Sequence, residues 1–171
     1  NRTNLYWRTD RCLQFFWKSG GSWGAINTEM TFNDATKWYH VVGAFKSTWG
    51  TAESDRVIWY VNGERQDVWT ESSGYPALNY ESQFNVYNQY AYFGNFDATG
   101  QFDGSLCDVR FLDGFKGQAS DFGYTDPLTG TWRPKKFRGV NINHWVNGMG
   151  AYADLTHDNS MLGKSLKNNN G

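Results

Sequence analysis

The chain has 171 residues, the size of one ordinary domain and short for two. A formal net charge of -1 excludes a global basic field for nucleic acid or an anionic membrane surface. Aromatic content is 18%, with 31 aromatic residues against 21 Ile, Leu and Val. That much apolar mass excludes disorder. The absence of a long heptad pattern or an 18-residue apolar run excludes a coiled coil and a membrane-inserted helix. A core of rings points to strands, where aromatic and β-branched side chains fit the pleated surface.

Apolar residues alternate and turn residues interrupt them at short intervals, which predicts an all-β sandwich or barrel. Leu13 to Trp17 reads as a buried strand, and Trp23 follows it in a loop after Gly20-Gly21-Ser22. Trp38 to Lys46 reads as the next strand. Arg56 to Val61, Asn62-Gly63 and Glu64 to Trp69 read as a hairpin with a type I′ turn, because Asn-Gly tolerates two successive positive φ angles. Further strands are predicted at Phe84 to Tyr87, Tyr90 to Gly94, Leu106 to Leu112 and Ala151 to Leu155. Gln118 to Phe122 reads as one helical turn with Ser120 or Asp121 near a cap, and Asp126 to Gly130 as a turn. No repeat or interdomain linker is visible, so residues 1–171 read as one domain. The start at Asn1 and the polar tail ending at Gly171 read as cuts in a longer polypeptide. Cys12 and Cys107 read as two buried free thiols, with a single bridge as the alternative.

From Trp38 onward the chain resembles a known family. W-Y-H-V-V-G-A-F at 38 to 45, D-R-V-I-W-Y-V-N-G at 55 to 63 and F-D-G-S-L-C-D-V-R-F-L-D-G at 102 to 114 resemble the concanavalin-A-like lectin/glucanase superfamily in its laminin-G-like form. S-D-F-G at 120 to 123, T-D-P-L-T-G-T-W-R-P-K-K-F at 125 to 137, N-G at 147 to 148 and S-M-L-G-K at 160 to 164 resemble a subset in fibre, tail and other virion proteins of bacteriophages and large algal viruses. The likeness runs from Phe32 onward and is loose over residues 1 to 31. It implies a jelly-roll-like sandwich of two antiparallel sheets. Leu5-Tyr6-Trp7 stands where relatives carry one or two further strands. An edge left open there would be covered by a neighbouring chain.

Glycoside hydrolysis needs two carboxylates flanking the scissile bond. The five Glu residues, Glu29, Glu53, Glu64, Glu71 and Glu81, do not form the strand pattern of the related glucanases. The expectation is therefore a protein that is not an enzyme, with a glycan-degrading depolymerase as the rival reading. His40, His144 and His157 lack zinc spacing, and His40 reads as a core residue of the W-x-H strand motif. No cofactor is required; calcium is the candidate ion, with Asp97 and Asp103 as first ligands. Arg133 to Arg138 reads as a solvated basic run before an edge.

Sugars stack on flat apolar rings, with amides and carboxylates as nearby hydrogen-bond partners. Trp23, Trp49 and Tyr75 fall in Gly- and Ser-rich segments where core packing does not explain them, and Trp69 and Tyr80 flank the last of these. The expected role is a virion-associated lectin-like module at the particle surface, adhering to host-surface glycan. The alternative is a structural virion block completed by a neighbouring chain. Other virion proteins, further copies of the chain and host glycan are the expected partners, without nucleic acid or membrane insertion. Trp and Tyr are equally at home in a protein interface, so the residues leave sugar and protein both open.

Overall fold

The computed structural model describes residues 2–48, 52–85, 95–96, 100–110, 112 and 117–137. The chain packs as two compact units, Asn1–Gln83 with Lys116–Gly139, and Phe84–Phe115 with Val140–Gly171.

The first unit is an antiparallel β-sandwich. One sheet has the order β1-β2-β3-β7, from Arg2–Trp7, Leu13–Ser19, Ser22–Thr28 and Val68–Ser72. The other joins β4 (Val41–Phe45), β5 (Val57–Val61) and β6 (Glu64–Arg65). The expected all-β fold of two antiparallel sheets is therefore present. Alternation sets the faces. Phe15 of β2 stacks on Phe45 of β4 at 5.1 Å between ring centroids, so odd-numbered positions of β1 and β2 face the second sheet. Leu13, Phe15, Trp17, Ile26, Val57, Trp59 and Val61 are buried and build the core. Each such side chain contributes about 1.5–3 kcal/mol by leaving water.

Rings of this size need room, and glycine supplies it. A Cβ on Gly43 would come within 2.8 Å of the Trp59 ring that lies across it on the neighbouring strand. A Cβ on Gly24 would come within 2.6 Å of the Trp17 indole nitrogen. Trp132 lies against both Gly63 and Gly123, where any Cβ would strike its ring. Its indole N–H donates to His40 Nδ1 at 3.1 Å, which gives His40 a structural task.

The hairpin turn at Asn62-Gly63 forms as expected, with φ of 49° and 90°. The strand after it differs from expectation. Glu64 to Trp69 is not one strand: β6 ends at Arg65, the chain crosses at Gln66-Asp67, and β7 joins the other sheet. The corner is fixed by two backbone bonds, Gln66 N to Trp59 O and Glu29 N to Asp67 O, both 2.9 Å. Such sheet-switching strands close the corner of a sandwich.

Four other expectations change. Arg2–Trp7 is a six-residue strand paired with β2 along its length, so the first strand is present. Gly20-Gly21 alone turns the β2–β3 hairpin, with Gly20 at φ 57°, which places Trp23 in β3 rather than in a loop. Strand β4 begins at Val41, and Arg56 precedes β5. Cys107 is exposed, whereas Cys12 is buried; both are free thiols.

Ala119–Phe122 forms α1, and the Asp121 carboxylate accepts the Gln118 backbone N–H at 2.7 Å. It leads into the hairpin β10 (Gly123–Thr125) and β11 (Trp132–Pro134), whose turn carries Gly130 at φ 67°. Arg133 of the basic run bonds Asp126 at 2.9 Å. In the second unit, β8 (Asn95–Phe96) pairs with β9 (Gly100–Gln101). Residues 106–110 and 112 are not strand, and Gln83–Asn85 is a 3-10 turn. The strands expected at Tyr90 to Gly94 and Ala151 to Leu155 lie outside the described residues, as do the motifs at 147–148 and 160–164.

Candidate functional site

The outer face of the four-stranded sheet carries Arg2, Asn4 and Tyr6 from β1, and Gln14, Phe16 and Lys18 from β2. Trp23, Ala25 and Asn27 follow from β3, then Trp69 and Glu71 from β7. One row of cross-strand partners reads Tyr6–Gln14–Asn27–Trp69. The Tyr6 hydroxyl donates to Gln14 Oε1, and Gln14 Nε2 donates to Asn27 Oδ1. Burial raises the Tyr6 phenol above its usual pKa, which keeps the donated proton in place.

These polar residues are buried on a face that should be open. Gln14 is 2% exposed and Asn27 0%. What lies across the row supplies a reason. Arg8, just past β1, pairs with Glu71 on β7, although β2 and β3 lie between. Strands that far apart in order stand about 14 Å apart in a flat sheet. Extended Arg and Glu side chains together span about this distance, so the pair bridges the outer face like a bar, with the polar row in the groove beneath it. The Arg8 guanidinium also lies 5.3 Å from the Trp69 ring centroid and 3.1 Å from an Asp10 oxygen. Among the described residues, the buried Asn27 Nδ2 finds no acceptor. An unmade bond of this kind costs about 1–3 kcal/mol.

Half-open rings stand on the same face, Tyr6 and Trp69 at the ends of this row and Trp23 further along β3. Trp23 and Trp69 are each 38% exposed and Tyr6 37%. Trp23 stacks on Phe16 at 5.9 Å and 24°, and the Arg2 guanidinium stands 5.6 Å from the Phe16 centroid.

The residues expected to make contacts are thus placed apart. Trp23 and Trp69 share the groove. Tyr80 is on the core side, 5.5 Å from Trp17 and 6.3 Å from Phe45, with its hydroxyl 3.1 Å from Thr3 Oγ1. Tyr75 lines a separate cleft of about 490 Å³, with Glu29, Trp59, Arg65 and Asp67. Its loop is pinned by Trp17 Nε1 on Gly74 O at 2.8 Å and by Arg56 on Pro76 O at 2.7 Å. Trp49 and Asp97 lie outside the described residues, and Asp103 is exposed in the second unit. No group of three His, Cys, Asp or Glu among the described residues is arranged to hold a metal ion. Sequence reasoning missed Tyr6, Arg8, Gln14, Phe16, Asn27 and Glu71. The available signal was the even-numbered alternation through residues 2–7 and 13–19 on either side of a short turn.

The family model for the concanavalin A-like lectin/glucanases superfamily, in a laminin-G-like form, matches residues 1–119. The chain belongs to this superfamily, and the match takes in the first 31 residues, where the likeness of motifs is loose. No curated protein and no solved structure matches it significantly. A β-sandwich of this superfamily with a ring-lined groove is a carbohydrate-binding type of module.

Proposed function

We propose that the chain is a non-enzymatic lectin-like module that adheres to host-surface glycan from the surface of a virus particle. The observation that carries the binding role is the outer sheet face shared by Trp23 and Trp69, half-open rings on the same face as a fixed pair of amides, Gln14 and Asn27. Pyranose C–H faces stack on such rings, and amides fix hydroxyl groups. The virion setting, with other virion proteins and further copies of the chain as partners, rests on the motifs between residues 120 and 164. A binding rather than hydrolytic role is supported by Glu71. It is the one carboxylate among the groove's strand residues, and it is held by Arg8, whereas hydrolysis needs two facing carboxylates. No cofactor is required in this reading, with calcium at Asp97 and Asp103 as the candidate ion; Asp97 lies outside the described residues.

Glycan-array binding and binding to host lipopolysaccharide test this reading. Trp23→Ala and Trp69→Ala are expected to weaken binding about tenfold or more while the fold is kept. Binding unchanged in both variants would remove the groove from the site.

A second reading, a structural block completed by a neighbouring chain, draws support from Leu5. This side chain of β1, the outermost strand of its sheet among the described residues, faces the core side yet is 48% exposed. A copy pairing along β1 would cover it. Light scattering on the chain and on Leu5→Glu checks this: a monomer in both cases rules out completion by a second copy.

A further inference from the structure

We infer that Asn27 is a ligand-reading donor held in reserve, masked by the Arg8–Glu71 bar until a ligand oxygen displaces it. The inference rests on the groove being a glycan site and adds how that site is held shut. Its basis is a chain of hydrogen bonds that stops one bond short. Tyr6 donates to Gln14, and Gln14 donates to Asn27 Oδ1, which leaves Asn27 Nδ2 to donate in turn. That nitrogen is buried and has no acceptor among the described residues, in a residue that is 0% exposed. A buried N–H left unpaired is costly, so an incoming acceptor is rewarded.

The bar lies between this donor and solvent. It runs from Arg8, past the end of β1, to Glu71 on β7, over the row that holds Asn27. Its guanidinium also lies 5.3 Å from the Trp69 ring centroid. One ion pair therefore covers a donor and a ring, the two kinds of group that hold a sugar. The bar is easily released. Its side chains are 27% and 28% exposed, and ion pairs open to solvent are weakly held. Arg8 has a second carboxylate, Asp10, at 3.1 Å. Letting go of Glu71 therefore leaves the guanidinium paired. The opened groove offers Asn27 Nδ2 to a sugar oxygen and the Trp69 face to its C–H groups.

The test is titration calorimetry of the full chain with neutral oligosaccharides of dextran, mannan and galactan, which carry no charge for salt to screen. At least one is expected to bind, and Glu71→Gln should bind it about two- to fivefold tighter, the span an exposed ion pair supplies. Wild-type affinity should climb toward that of Glu71→Gln as salt is raised, while the variant stays flat. In NMR spectra the Asn27 side-chain amide should shift on binding in both proteins. A brace that only ties the strands together predicts no gain in affinity from either change. Equal or weaker binding by Glu71→Gln, a wild-type affinity indifferent to salt, or an Asn27 amide that does not move overturns this inference and leaves the groove as a glycan site. No binding by either protein to these sugars or on the glycan array overturns both.

Discussion

The two faces of the sheet β1-β2-β3-β7 are made by the same strands and the same alternation, yet they solve different problems. On the inner face Leu13, Phe15, Trp17 and Ile26 are buried against the second sheet, and Gly24 on the neighbouring strand makes room for the Trp17 ring. On the outer face the order is reversed: polar Gln14 and Asn27 are buried beneath, while Trp23, Trp69 and Tyr6 stay half-open. The inner face trades water for packing and leaves no ring unused. The outer face holds back ring area that packing would otherwise claim. An arrangement that forgoes stability in this way is what a binding face looks like, and it can be separated from the core by substitution.

The largest effects belong to the inner face. Phe15 is 1% exposed and stacked on Phe45, so Phe15→Ala is expected to destabilise by about 3–5 kcal/mol in urea unfolding. A loss under about 1 kcal/mol would mean that the two sheets do not pack through this pair. Gly63→Ala comes next. The position has φ 90° and no room beside the Trp132 ring, so backbone strain and overpacking act together, at about 3 kcal/mol. If Trp132→Ala is already present, only the backbone part should remain.

Phe15 and the turn at Gly63 were legible in the sequence because local chemistry dictates them. Asn62-Gly63 fixes a turn, and Phe15 and Trp17 mark a buried strand. The corner at Gln66-Asp67 was not legible. Alternation runs unbroken from Glu64 to Trp69, and nothing local marks the step from one sheet to the other. Trp23 was read into a loop because Gly20-Gly21-Ser22 looks longer than the two-residue turn it makes. The groove was hidden for a deeper reason. Its polar row is crossed by the pair Arg8 and Glu71, residues 63 positions apart in the chain. That pairing is a property of four strands together, and no single segment announces it.

The outer face should respond in the opposite sense to the core. Trp23→Ala loses one stacked pair on a half-open ring, so unfolding should change by about 0.5–1.5 kcal/mol while glycan binding falls about tenfold or more. Trp69→Ala should also loosen Arg8 by removing the ring beneath it. If either substitution costs as much stability as Phe15→Ala, the ring is part of the core and the contrast between the faces fails.

The two thiols give the smallest effect and the finest test of burial. Cys12 lies at the Arg8 end of the groove, buried, with its sulfur 3.1 Å from Asp10 Oδ1. Burial first, and the neighbouring Asp10 carboxylate second, push its pKa up from 9.0 to about 11. The thiol therefore keeps its proton in the fold where an unfolded chain would lose it. The folded state binds the extra proton between these two values, so this contribution to stability is fully present below pH 9. It is lost as pH rises toward about 11. Cys107 is exposed. Iodoacetamide at pH 8 should label Cys107 promptly and Cys12 only after denaturant is added, because the thiolate is the nucleophile. Glu71→Gln weakens the Arg8 bridge across the groove. If the bridge holds that end closed, Cys12 should label faster in this variant with little change in global unfolding. If the rate is unchanged, the Arg8–Glu71 pair is not what closes that end of the outer face.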